Sequence, residues 1–259
     1  MGEDLGSARD PRGDRWRRRA PDDGGAVLVL CAHGTRGPRG RAAVGTLVDA
    51  LARDRPGTPV RSAFVDVQPP AVADVVAALA PERDVVVVPV LLSAGHHVGH
   101  DVASAVAPWP RAVSAGPLGP SPLLDDVLAD RLAEAGARPG DAVVLAAAGS
   151  SDPRAAADTA RVADALRERH DGEVHVGYGA VARPRVPAVV EQLRARGAAR
   201  VLVAPYLLGP GFFYDRLVEA GADAVAAPLL HRPDGTLDPR VAQAVWARFD
   251  AAAPQPVAG

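Results

Sequence analysis

The feature that most restricts this 259-residue chain is that it is written twice. Val29-Leu30-Cys31-Ala32-His33-Gly34-Thr35-Arg36-Gly37-Pro38-Arg39 lies over Val144-Leu145-Ala146-Ala147-Ala148-Gly149-Ser150-Ser151-Asp152-Pro153-Arg154 at an offset of 115. Val88-Pro89-Val90-Leu91-Leu92-Ser93-Ala94-Gly95 lies over Ala204-Pro205-Tyr206-Leu207-Leu208-Gly209-Pro210-Gly211 at an offset of 116. Solenoid repeats are far shorter, so a period of this length is a duplicated domain. Each copy is long enough to bury a small core of its own.

Within each copy, short apolar runs alternate with amphipathic stretches. Strands are predicted at Ala26–Ala32, Val60–Asp66, Val85–Leu92 and Ala112–Gly116, with helices at Gly40–Arg53, Pro70–Leu79 and Leu123–Ala135. The second copy repeats this with strands Asp141–Ala148, Val174–Ala180, Val201–Leu208 and Ala222–Ala226, and helices Pro153–Arg169, Pro187–Arg196 and Arg240–Ala251. The unbroken β-branched run at Val85–Val88 suits a strand covered on both faces. Strict strand–helix alternation implies a parallel sheet with right-handed crossovers. The fold class is therefore α/β: two tandem units, each a small parallel sheet flanked by helices. The expected division is 25–138 and 139–259, with 1–24 as a tail.

That tail holds six arginines and six carboxylates with no apolar core after Arg17-Arg18-Arg19, so it is read as disordered and not as a signal peptide. All 29 basic residues are arginine against 31 acidic ones, a net charge of −2 that argues against nucleic-acid binding. No apolar run approaches the ~20 residues of a membrane helix. One cysteine, Cys31, excludes an internal disulfide and any thiolate-only metal cluster, and is read as inert core. The expected setting is the cytoplasm, the expected state a monomer.

In open parallel sheets, ligands bind beyond the carboxyl ends of the strands. His33 ends the first strand, Asp66 ends the second, and His96, His97 and His100 follow the third. His170, His175 and His231 are scattered through the second copy and are expected at the surface. The duplication supplies an internal control. The second copy keeps the glycines, prolines and apolar strands but has Ala148 opposite His33, about Ala182 opposite Asp66, and Phe212-Phe213 opposite His96-His97. The fold can thus be built without these polar groups, which favours function for His33 and His97. Two imidazoles and a carboxylate suit borderline divalent metals such as Fe²⁺, Co²⁺, Ni²⁺ and Zn²⁺ and leave coordination positions open. Gly34-Thr35-Arg36-Gly37-Pro38-Arg39 joins strand to helix and offers backbone N–H groups to an anion. It is neither a Walker A loop nor a dinucleotide fingerprint. Arg36 is available to a carboxylate. Arg39 is read as a structural pair at the helix start, because Arg154 repeats it, and Asp101 as a helix cap.

The arrangement resembles the sirohydrochlorin chelatases, the cobalt- or iron-inserting branch of the class II tetrapyrrole chelatases, over about residues 26–250. The resemblance rests on Ala32-His33-Gly34-Thr35-Arg36, on Ala63-Phe64-Val65-Asp66 followed by Pro69, and on Pro89-Val90-Leu91-Leu92-Ser93-Ala94-Gly95-His96-His97-Val98 with Asp101. It implies that His33 and His97 handle the metal. Asp66 stands where the family usually has glutamate. Long members are two fused units with one active pair. The implied reaction is ATP-independent insertion of Fe²⁺ or Co²⁺, with Ni²⁺ a third candidate, into sirohydrochlorin, releasing two protons. The metal is then a substrate, with no permanently bound cofactor. His33, His97 and Asp66 are the expected catalytic groups. Gly34, Thr35, Arg36 and Phe213 are expected to meet the tetrapyrrole in a cleft between the units. The competing readings are a non-catalytic metallochaperone and a histidine phosphatase. The latter normally carries arginine just before its histidine, where Ala32 stands here.

Overall fold

The computed structural model describes residues 25–93, 96–232 and 234–253, with the backbone only of 96–98. The expected tail 1–24 lies outside them. The first unit runs β1 (Val27–Ala32), α1 (Pro38–Asp54), β2 (Val60–Phe64), α2 (Val72–Leu79), β3 (Val85–Pro89), α3 (His96–Val106), β4 (Ala112–Ser114) and α4 (Pro122–Glu134). The second runs β5 (Ala142–Ala147), α5 (Pro153–Arg167), β6 (Val174–Tyr178), α6 (Val186–Ala195), β7 (Val201–Tyr206), α7 (Phe212–Val218), β8 (Ala224–Val225) and α8 (Pro239–Ala252). Both sheets are parallel, ordered β2-β1-β3-β4 and β6-β5-β7-β8. The two tandem parallel units read from the sequence are therefore present.

The third strand of each unit ends earlier than its apolar run. Pro89 has no N–H to donate, and the Val90 N–H bonds back to Cys31 at 2.7 Å, so the Pro89 nitrogen points away from β1. On that side β4 pairs only as far as Val87–Ser114 and has already ended. A proline is thereby tolerated in a central strand. Beyond it, Leu91 accepts from the Gly119 N–H at 3.0 Å in the β4–α4 crossover. Leu207 and Leu208 likewise accept from Leu229 and Leu230 in the β8–α8 crossover, at 3.0 and 2.8 Å.

Period-two alternation divides each sheet between two layers. Val27, Val29, Cys31, Val85 and Val87 pack with Val72, Val76 and Val102 of α2 and α3. Ala142, Val144, Ala146, Val201 and Val203 pack with Val186, Val190 and Leu193 of α6. The opposite faces share one continuous core. There α1 and α5 cover their own sheets, but α4 packs on β7 and α8 packs on β3. Each unit hands its last helix to the other.

The two exchanged helices are pinned together. Arg131 of α4 and Asp238, the N-cap of α8, pair at 2.6 Å with both side chains wholly buried. Asp238 also accepts from the Arg240 backbone at 3.1 Å and its guanidinium at 2.8 Å, and Arg131 pairs with Glu134. At the other end of α8, Asp250 takes both Arg55 nitrogens at 2.5 and 2.8 Å, and that guanidinium lies 4.3 Å from the Trp246 ring. Among the described residues, no helix is long and apolar enough to cross a membrane.

Burial by itself pushes the Asp238 carboxyl up, but the Arg240 hydrogen bonds and the Arg240 and Arg131 charges outweigh it and hold the group below the usual carboxylate range. Folded Asp238 stays ionised to lower pH than in the unfolded chain. Its stabilisation is complete above the unfolded value of about 3.9 and disappears as pH falls from there through the folded value. Asp238→Asn keeps an N-cap acceptor but takes from buried Arg131 one of its two carboxylate partners, leaving Glu134 alone. It is expected to cost about 3–5 kcal/mol in urea unfolding and to remove that slope below pH 4. Arg131→Met added to it should restore more than half of the loss.

Candidate functional site at the carboxyl edge of the first sheet

The sheet ladder continues one step past β1 and β2. The Val65 N–H donates to Ala32 and the Asp66 N–H to His33, both at 3.1 Å. His33 and Asp66 therefore stand side by side at the carboxyl edge, both exposed. Gly34 adopts φ +97°, and a Cβ there would lie 2.1 Å from the Asp66 carbonyl oxygen. Glycine is required on both counts. Val67 is held at φ 68°, a conformation a β-branched residue adopts only under strain. The Asp66 carboxylate accepts from the Val67 N–H at 2.7 Å. Gln68 Oε1 accepts from the Thr35 N–H at 3.0 Å, and Thr35 Oγ1 accepts from the Gly37 N–H at 3.1 Å. The two loops are thus locked to each other, with His33 and Arg36 exposed. No hydrogen bond or ion pair of the Arg36 guanidinium is present among the described residues.

The second unit repeats the frame without the chemistry. Gly149 has φ +92°, with a would-be Cβ 2.2 Å from the Ala180 carbonyl, and Val181 has φ 51°. The Ala180 N–H donates to Ala148 at 2.8 Å, and Ser150 Oγ accepts from Asp152 at 3.1 Å. Ala148 occupies the His33 position, as the repeat implies. The counterpart of Asp66 is Ala180, two residues before the one expected, because the strand ladder sets the register. The strained turn therefore belongs to the fold, and the imidazole and carboxylate are additions to it.

His96 and His97 open α3 beyond the end of β3, the same edge of the sheet. Their side chains lie outside the described residues, as do Ala94 and Gly95. His100 is exposed on α3. Among the described residues, no group of three His, Cys, Asp or Glu is placed to hold a metal ion. Asp101 lies inside α3 and does not cap it, a correction to the sequence reading. Arg39 is a structural pair as expected, but its partner is Asp215 of α7 in the other unit, at 2.6 Å. Arg154 instead binds its own N-cap, Asp152, because the first unit has Gly37 where that aspartate stands.

Loops of the two units meet here. A Cβ on Gly40 would lie 3.4 Å from the Pro210 carbonyl, and one on Gly209 would lie 3.2 Å from Ala43 Cβ. Phe212 and Phe213 open α7, with Phe213 against Gly179 at the end of β6. They are 69% and 39% exposed. With Val67 and Val181 they supply, among the described residues, most of the large apolar side chains left in water, and all four follow strand ends. The remaining histidines lie at the surface, partly covered: His170 is half-buried and bonded to the Asp141 carbonyl at 2.8 Å, His175 pairs with Glu173, and His231 is half-buried. Cys31 is inert core, its thiol pushed up to about 12 by burial and by Asp101.

A family model described as CbiX matches residues 27–135 and again residues 142–249. The chain belongs to the CbiX family. The two matches cover both units, so the duplication is a fusion of two family domains. Sirohydrochlorin cobaltochelatase of Priestia megaterium is 28% identical over 207 residues, 74% of this chain and 67% of the relative. Among solved structures, SirB from Bacillus subtilis with Fe³⁺ superposes with a TM-score of 0.70 at 18% identity, covering 87% of this chain and 94% of that one. CbiX, the terminal enzyme for siroheme biosynthesis in denitrifying bacteria, gives 0.63 at 21% identity, covering 85% and 98%. Two features of this site escaped the sequence. The Gln68 lock carries no sequence signal, whereas the repeated valine at 67 and 181 was available in the duplication.

Gly34→Ala must both adopt a left-handed conformation and clear the Asp66 carbonyl. It is expected to lower stability by about 1–3 kcal/mol or more. Gly45→Ala, at an open position on α1, should be neutral or slightly stabilising in the same denaturation assay.

Proposed function

We propose that this chain is a sirohydrochlorin chelatase that inserts Fe²⁺ or Co²⁺, with Ni²⁺ a third candidate, into the tetrapyrrole without ATP. The observation that carries this reading is the pairing of His33 with Asp66 at one sheet edge of a double CbiX chain whose second unit has alanine at both positions. The likeness to chelatases with Fe³⁺ or cobalt supports a metal as substrate.

Metal insertion must remove two weakly acidic pyrrole protons. A neutral imidazole is a base in the physiological range. His33 and His97 hold the ion beside the ring, and as the ion passes to the ring nitrogens the freed imidazole of His33 accepts a proton. Asp66, whose carboxylate accepts from the Val67 N–H, orients an imidazole or takes the second proton. Gly34 and Thr35 shape the loop that presents Arg36 to a substrate carboxylate. Phe213 offers an apolar face to the macrocycle. The proposed division of labour follows residues 25–138 and 139–259, with the chemistry in the first and the apolar wall in the second. The chain works as a cytoplasmic monomer in this reading.

His33→Ala and His97→Ala should each slow insertion by about 10²-fold or more, followed by the absorbance change of sirohydrochlorin with Co²⁺ or Fe²⁺, while the unfolding transition stays in place. Near wild-type rates in both variants would overturn the assignment. Metal binding with no spectral change of the tetrapyrrole would identify a metallochaperone instead.

A further inference from the structure

The two units differ in charge at the loop that follows their second strand. In the first unit, Phe64–Ala71 carries the Asp66 carboxylate and no cation. The corresponding loop of the second unit, Tyr178–Arg185, carries Arg183 and Arg185 and no carboxylate; the nearest acids along the chain are Glu173 and Glu191. Backbone pairing fixes the correspondence. The Phe64 N–H donates to the Pro70 carbonyl at 3.0 Å and the Tyr178 N–H to the Pro184 carbonyl at 2.9 Å. Phe64 bridges to Ala71 as Tyr178 bridges to Arg185. Arg183 therefore stands where the first unit has Pro69, and Arg185 where it has Ala71. The reversal of charge is confined to the carboxyl edge, the side of each sheet where ligands bind.

The loop holds Arg183 out on a fixed backbone. The Ala182 N–H donates to Ala180 at 2.6 Å on one side of it, and the Pro184 carbonyl is taken by Tyr178 on the other. Arg183 is exposed, and its guanidinium has no hydrogen bond or ion pair among the described residues. Arg216 of α7 is also exposed and has no carboxylate partner among them; its guanidinium lies 5.7 Å from the Phe212 ring. Phe213 on the same helix reaches the loop, its ring 3.2 Å from where a Gly179 Cβ would stand. From Arg200 to Tyr214 the chain has no carboxylate, and Asp215 is taken by Arg39. Exposed aromatic rings flanked by unpaired guanidiniums match a flat apolar ring with carboxylates on its rim. We propose that the second unit is the substrate-holding half of the site: Phe212 and Phe213 take the face of the macrocycle, and Arg183 and Arg216 take carboxylates on its rim. This inference rests on the chelatase reading above and adds to it the residues that select a polycarboxylate.

The test uses the full chain and two metal-free porphyrins as probes, with binding read from porphyrin fluorescence. Uroporphyrin carries an acetate and a propionate on every pyrrole ring; coproporphyrin carries the propionates only. The wild type should bind uroporphyrin more tightly. Arg183→Met and Arg216→Met should each weaken it about fivefold, and together tenfold or more, with a smaller loss for coproporphyrin. Arg183→Lys should recover part of the loss, since it keeps the charge but not the fork. Arg196→Met removes an exposed arginine at the C-cap of α6, at the opposite edge of the sheet, and should change nothing. In sirohydrochlorin insertion the Arg183 and Arg216 variants should raise KM in the same proportion and leave kcat within about twofold. Uroporphyrin affinity that is indifferent to both arginines, or that falls equally with Arg196→Met, overturns the inference, as does failure of the wild type to bind either porphyrin. Porphyrin binding needs no metal insertion, so the two readings fail separately. Insertion with arginine-independent affinity removes this inference alone, and arginine-dependent binding without insertion removes the chelatase reading alone.

Discussion

Everything in this molecule depends on the exchange of α4 and α8. Each sheet carries an inner apolar face that its own α1 or α5 covers only in part. The borrowed helix completes the cover, so the units cannot separate without exposing apolar surface on both. The buried Arg131–Asp238 pair lies where the borrowed helices meet. A buried charge pair adds little net stability when compared with apolar packing, but it punishes any arrangement that leaves either charge alone. It lies at the contact between α4 and the N-cap of α8 and adds to the packing that sets their mutual placement.

That placement gives the duplication its use. Both units build the same strained turn, with glycine at positive φ against a carbonyl and a valine in the left-handed region. One copy hangs an imidazole and a carboxylate on it. The other presents alanines there and exposes Phe212 and Phe213 beside the equivalent edge. The difference in side chains between the two halves makes a repeated scaffold asymmetric, with a polar side and an apolar side. The Arg39–Asp215 pair and the Gly40–Pro210 and Gly209–Ala43 approaches hold these sides together at loop level.

Much of this was legible in the residues. Period-two alternation marked strands, apolar spacing marked helices, and the offset near 115 showed the copies. Ends of elements were less legible. Val90–Leu92 looks like strand, but after Val90 bonds Cys31 the Leu91 carbonyl takes the Gly119 N–H of the crossover, because β4 has already stopped and Pro89 cannot donate. Short α7 gave no periodicity to detect, and Asp101 passed for a cap because the start of α3 was unknown. Of the site, the adjacency of His33 and Asp66 followed from strand order alone.

By itself, the sequence determined the fold class, the duplication and the asymmetry between a polar and an apolar copy, since these follow from local periodicity and from comparing one half with the other. Only the tertiary structure decided that each unit lends its last helix to its twin, that Asp66 aligns with Ala180, that Arg39 reaches Asp215, and that Arg131 meets Asp238 in the core. The physical reason is common to all four. They depend on contacts between residues far apart in the chain, and such contacts are selected by burial and charge pairing across the assembled core, not by the preferences of neighbouring residues.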